Sequence, residues 1–100
     1  MSESRPTIAA ENAMTRALVY STAICPYCVA AKNFLKQRGI DYEDVRIDVD
    51  SARRDEMLTR TQRRTVPQIF INDQHIGGYD DLVAFDRSGG LAELLAGANS

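Results

Sequence analysis

Residues 17–39 read ALVYSTAICPYCVAAKNFLKQRG, and the order of their parts decides the fold. Ala17-Leu18-Val19-Tyr20 is a short apolar run rich in strand formers, suited to a buried strand. A brief loop leads to Pro26, which opens a helical pattern; proline is favoured there because its missing N–H has no helical partner to lose. Cys28, Ala31 and Leu35 share one face with Phe34 adjacent, and Gly39 supplies the stop. Both cysteines of the chain, Cys25 and Cys28, thus fall where strand gives way to helix.

Downstream, Tyr42 to Val49 (YEDVRIDV) alternates Val45, Ile47 and Val49 as a half-buried strand does. Ser51 is the expected N-cap of a helix running to Thr61, with Asp55 and Glu56 near its start and arginines at its end. Gln68–Ile71 reads as a strand, Asn72-Asp73 as a turn, and Gln74-His75-Ile76 as the return strand. Gly77-Gly78 breaks the chain before a helix over Tyr79–Arg87, and Leu91 to Leu95 adds a further helical turn or two. Phe34, Phe70 and Phe85 are expected in the core, and His75 on an exposed strand position.

The order is β-α-β-α-β-β-α. Its first half is a crossover that demands parallel strands, and its second a hairpin that demands antiparallel ones. The fold class is therefore α/β, a small four-stranded mixed sheet flanked by helices. Residues 17–100 form one domain behind a polar tail over residues 1–16, in which Met14 is a candidate internal start.

At 100 residues and 11.1 kDa the chain supports a single core. A formal net charge of -2 gives no electrostatic case for nucleic acid. No apolar run approaches the roughly 18 residues that span a bilayer, and the N-terminus lacks the apolar core of a signal peptide. The expected location is the cytoplasm, with no membrane partner and, in the absence of a heptad or long apolar seam, a monomer. Structural disulfides are rare there, and a bridge over so short a loop adds little by loop entropy. Zinc normally needs four ligands, whereas the chain has two Cys and one His, so no metal site within one chain is expected.

A redox couple fits the local physics better. Cys25 precedes Pro26 at a helix start, where unpaired N–H groups and the positive end of the helix dipole favour an anion. A thiolate is such an anion and is the attacking form in disulfide exchange; helix-start and CxxC thiols titrate from about 3.5 to 7.5. Cys28 lies one turn inside on the apolar face, where desolvation keeps a thiol protonated. Cys25 is thus the nucleophile and Cys28 the resolving thiol.

Together with Cys25-Pro26-Tyr27-Cys28, the segments TVPQIFI (residues 65–71) and GGYDDL (residues 77–82) make the chain resemble the dithiol glutaredoxins, from Ala17 to Leu95. Thioredoxins proper share the fold but carry Cys-Gly-Pro-Cys after a tryptophan, and this chain has no tryptophan. The resemblance implies a thioredoxin fold and a glutathione-dependent thiol–disulfide oxidoreductase. It would reduce protein–glutathione mixed disulfides and protein disulfides, with glutathione as co-substrate and no tightly bound cofactor. Ribonucleotide reductase is among the clients the family implies.

The resemblance also marks the glutathione-binding positions. The family has the peptide before Pro67 cis, which turns the Val66 backbone, beside Thr65, toward Cys25 to pair with the glutathione cysteine. Gly78 permits a tight turn, so that the N–H groups of Tyr79 and Asp80 meet the γ-glutamyl carboxylate while Asp80 or Asp81 receives its ammonium. Tyr27 packs against the tripeptide and Tyr79 forms its rim. Many relatives carry a Lys where this chain has Thr22; Arg54 or Arg63 is the expected substitute for the glycine carboxylate. The alternatives from other classes are a glutathione-ligated [2Fe–2S] cluster carrier, against which Pro26 argues, and a thioredoxin-like reductase with another electron donor.

Overall fold

The computed structural model describes residues 16–99. The chain runs β1 (Arg16–Ser21), α1 (Pro26–Gln37), β2 (Asp41–Arg46), α2 (Ser51–Thr61), β3 (Gln68–Ile71), β4 (Gln74–Gly77), α3 (Tyr79–Arg87) and α4 (Gly90–Asn99). Its sheet has the order β2-β1-β3-β4. β1 pairs parallel with β2 from Arg16↔Asp41 to Ser21↔Arg46, and antiparallel with β3 from Ala17↔Ile71 to Tyr20↔Gln68. The expected four-stranded mixed sheet is the observed one. Residues 1–15 of the expected tail lie outside the described residues, and Arg16, grouped with the tail on sequence, opens β1.

Strand alternation divides the core between the two faces of the sheet. Ala17 and Val19 of β1 and Ile69 and Ile71 of β3 pack with Ala31 and Leu35 of α1. Leu82 of α3 and Leu91 of α4 complete that layer. On the other face Tyr20, Val45, Ile47, Met57 and Phe70 enclose the apolar side of α2. Full burial of one such side chain stabilises by about 1.5–3 kcal/mol. Phe70 is buried, while Phe34 and Phe85 are partly exposed and pack onto the first layer.

Two boundaries differ from expectation. β2 ends at Arg46, where its pairing partner Ser21 ends β1; Ile47 stays buried because its N–H donates to the Ser21 carbonyl at 2.9 Å. Val49, read as part of the alternation, is 76% exposed. The N-cap of α2 is Asp50 rather than Ser51: the Asp50 carboxylate accepts the Arg53 N–H at 3.2 Å, and Ser51 is the first helical residue. The hairpin turn is as expected, with Asn72 and Asp73 both left-handed at φ 51° and 69°.

Candidate active site

Cys25 is the N-cap of α1. Its backbone is extended, and its Sγ accepts the Cys28 N–H at 3.1 Å. The helix start therefore points a donor at this sulfur, an arrangement that favours negative charge on it. Cys25 and Cys28 form a disulfide with Cα atoms 5.2 Å apart. Cys28 is fully buried and Cys25 only partly, so an incoming thiol or disulfide can reach Cys25 and not its partner.

The loop before β3 brings a second backbone to the same place. The Val66–Pro67 peptide is cis, and the Val66 carbonyl oxygen lies 3.9 Å from Cys25 Sγ. Buried Gln68 holds this loop from below: its Nε2 donates to the Thr65 carbonyl at 3.1 Å and to the Thr65 hydroxyl oxygen at 3.2 Å. Its Oε1 accepts from His75 Nε2 at 2.8 Å. Partial desolvation of its ring pushes the His75 pKa down, and the Arg63 charge adds to it. His75 is exposed, as expected, and its ring stacks on Phe70 with centroids 4.9 Å apart.

A groove of about 280 Å³ runs between this loop and the start of α3. Thr65, Val66 and Pro67 line one side, and Gly78, Tyr79, Asp80 and Asp81 the other. Tyr27 and Arg63 also line it, and the rings of Tyr27 and Tyr79 lie 6.2 Å apart. The structure thus brings together every position marked for glutathione except Arg54. Arg54 lines a separate groove with Thr22 and Val49. Gln68 also lines the site and was not singled out on sequence; the available signal was a polar residue in a four-residue apolar strand, which needs partners if buried.

The charges on the α3 side have distinct settings. Asp81 Oδ2 accepts the Gly78 N–H at 2.9 Å, the back-bond of a capping box, and lies 3.5 Å from Arg63 Nη1. Gly77, at φ 118°, has its α-carbon so close to this carboxylate that any Cβ would collide with it. Asp80 is exposed, and among the described residues its side chain has no hydrogen-bond or ion-pair partner. The first-turn N–H groups of Tyr79 and Asp80 have no intrahelical acceptor, as at any helix start.

Two polar clusters fix the loop that carries Cys25. The buried Ser21 hydroxyl donates to Asp44, which Lys32 Nζ also reaches at 2.8 Å. Burial pushes the Asp44 carboxyl up, but the bonds from Lys32 and Ser21 outweigh it and leave it below the usual carboxylate range. Farther along, Asp48 accepts the Ala23 N–H at 3.0 Å and the Arg46 guanidinium fork at 2.7 Å, and the Arg46 bond holds it well below that range.

A buried sulfur and a reachable one at a helix start, joined as a disulfide and facing a cis-proline loop on this sheet, define a redox-active dithiol protein of the thioredoxin fold. The comparisons agree. Residues 17–76 match the family model described as Glutaredoxin. Glutaredoxin 3 of Escherichia coli (strain K12) is 49% identical over 82 residues, covering 82% of this chain and 99% of that protein. Glutaredoxin of Pseudomonas aeruginosa is 41% identical over 83 residues, covering 83% and 99%. Among solved structures, the buckwheat glutaredoxin–glutathione complex superposes with a TM-score of 0.74 at 29% identity, covering 99% of this chain and 97% of that one. The chain belongs to the glutaredoxin family and is a glutathione-dependent thiol–disulfide oxidoreductase.

Proposed function

We propose that Cys25 takes the glutathionyl group from protein–glutathione mixed disulfides, with the groove beside it as the glutathione site. The observation that carries this reading is the continuity of the groove with Cys25 through Val66, whose carbonyl lies 3.9 Å from the sulfur. The cysteine of the tripeptide pairs its backbone with Val66 as a short added strand. Its γ-glutamyl carboxylate meets the N–H groups of Tyr79 and Asp80. Asp80, without a side-chain partner among the described residues, receives the ammonium, since Asp81 is engaged by Gly78 and Arg63. Arg63, in the lining of the groove, faces the glycine carboxylate, and Tyr27 and Tyr79 flank the tripeptide.

The Cys25 thiolate attacks the glutathione sulfur of the mixed disulfide; that S–S bond breaks, a Cys25–glutathione disulfide forms, and the client leaves as a thiolate. A second glutathione thiolate attacks the glutathione sulfur on Cys25, releasing oxidised glutathione and restoring the Cys25 thiolate. With a protein disulfide, the Cys25 thiolate attacks one client sulfur, the client S–S bond breaks and the second client sulfur leaves as thiolate; Cys28, losing its proton, then attacks Cys25 Sγ, so that the Cys25–client bond breaks, the first client sulfur leaves as thiolate and the Cys25–Cys28 disulfide forms. The setting is a cytoplasm poised by glutathione.

Glutathione-dependent reduction of a glutathionylated peptide by the wild type, Cys25→Ser and Cys28→Ser tests this. Turnover is expected to vanish in Cys25→Ser and persist in Cys28→Ser. Retained turnover in Cys25→Ser, or a wild type that turns over only with another donor, overturns it.

A further inference from the structure

Lys32 of α1 keeps only 19% of its side chain exposed, which is uncommon for a lysine unless it is paired. Its Nζ meets Asp44 Oδ2 at 2.8 Å, and Asp44 Oδ1 accepts the hydroxyl of fully buried Ser21. Both anchors lie on the sheet, Ser21 on β1 and Asp44 on β2, so the ammonium is drawn toward the sheet and away from the outer surface of the helix. None of the three residues lines the glutathione groove.

The fold brings this cluster to Cys28. Alternation along β1 puts Ser21 on the face of Ala17 and Val19, which α1 covers, and the register Val19↔Asp44 puts Asp44 on the same face. A crossover helix runs back along the strand it follows, so the first turn of α1 lies level with the last residue of β1. Cys28, in that turn and fully buried, therefore shares this end of the layer with Ser21. Lys32 follows Cys28 by four residues, and a long helical side chain leans back over the turn before its own. The other charged groups on the packed elements are engaged elsewhere: Arg46 of β2 with Asp48, Asp86 of α3 with Arg38 at the far end of α1, and Asp81 of α3 with Gly78 and Arg63. Tyr79 and Asp80 open α3 on the glutathione groove.

We propose that Lys32 is a positioning residue for the resolving step: its ammonium, anchored by Asp44 and Ser21, favours the thiolate of Cys28. The proposal deepens the reading of Cys28 as the resolving thiol and rests on it. Once Cys25 carries a client, the Cys28 thiol gives its proton to water and its thiolate attacks Cys25 Sγ. The Cys25–client bond breaks, the client sulfur leaves as thiolate and the Cys25–Cys28 disulfide forms. Burial alone opposes that ionisation, and a cation held one turn away offsets part of the cost. Without its anchors a lysine chain would carry its charge out to water.

The test reads Cys28 directly, from the ultraviolet absorbance of its thiolate against pH in Cys25→Ser protein, with the doubly substituted Cys25→Ser/Cys28→Ser protein as blank. Adding Lys32→Gln is expected to raise the midpoint by about one pH unit, and Lys32→Arg to hold it. That leaves about tenfold less thiolate at neutral pH; because a less acidic thiolate is the better nucleophile, single-turnover reduction of a peptide disulfide by the dithiol protein slows about threefold. An unmoved midpoint in Lys32→Gln overturns the proposal. So does an equal rise in Lys32→Arg, which places the effect in packing and not in charge, or an equal slowing by Lys32→Gln in the Cys28→Ser background, which places it at Cys25. If Cys28→Ser reduces the peptide disulfide as fast as the dithiol protein, the resolving role of Cys28 falls and takes the proposal with it, whatever the titration shows.

Discussion

Gln68 is bonded to Thr65 twice, through the carbonyl at 3.1 Å and the hydroxyl at 3.2 Å, from a position that is 1% exposed. The loop that presents Val66 to Cys25 thus stands on a buried amide. Gln68→Ala removes the bonds to Thr65 and His75, both on exposed residues that water can reach, a net loss of about 0.5–1.5 kcal/mol per bond. Urea unfolding should show a loss of that size, with a raised KM for a glutathionylated peptide. Unchanged stability and KM would contradict this role.

His75 gives the fold a pH dependence of defined sign. Its pKa is lowered by partial desolvation first and by Arg63 second, so below the unfolded value of about 6.5 the unfolded chain binds the proton more readily. Stability contributed by the neutral ring is present above that value and is lost as pH falls through the lower folded one. His75→Gln should flatten this dependence over pH 6.5 and the range just below in thermal melts, while wild type declines.

Asp44 acts lower on the scale. Held below the ordinary carboxylate range, it contributes stability that is present above about 3.9 and lost as pH falls through its folded value. Asp44→Asn should lower the melting temperature at neutral pH and bring it level with wild type in strong acid. A constant difference at every pH would show that packing, not charge, accounts for its effect.

Asp80 and Asp81 are adjacent and should separate cleanly. Asp81→Ala removes the acceptor of the Gly78 N–H, a net loss of about 0.5–1.5 kcal/mol. Asp80→Asn, at a side chain with no partner among the described residues, should cost less stability and raise the KM for glutathione more. Denaturation and kinetics on the two variants decide it; the reverse ranking would exchange their roles.

The fold was legible because its punctuation is local. Pro26, Gly39, the Asn72-Asp73 turn and the switch from strand to helical periodicity each impose a backbone state regardless of their neighbours. Where an element ends by partnership, the residues alone mislead. Val49 continues the alternation of Val45 and Ile47, yet β2 stops at Arg46 because β1 offers nothing beyond Ser21. Asp50 and Ser51 are both good N-caps, and only the geometry of the Arg53 N–H chooses between them. In the site, the positions around Pro67 and Gly78 were marked by family resemblance, not by spacing. Gln68 escaped because its partners, Thr65 and His75, are set by the loop and the hairpin. Arg54 shares a helix region with other arginines, and its separation from the groove is a fact of three dimensions.

The most direct measurement is the backbone amide spectrum of Cys28→Ser protein before and after glutathionylation of Cys25. A stable one-to-one adduct is expected, with the largest shifts at Val66, Tyr79 and Asp80 and little change at Val49. No adduct, or shifts centred on Ile24 and Val49 with the groove silent, would contradict it.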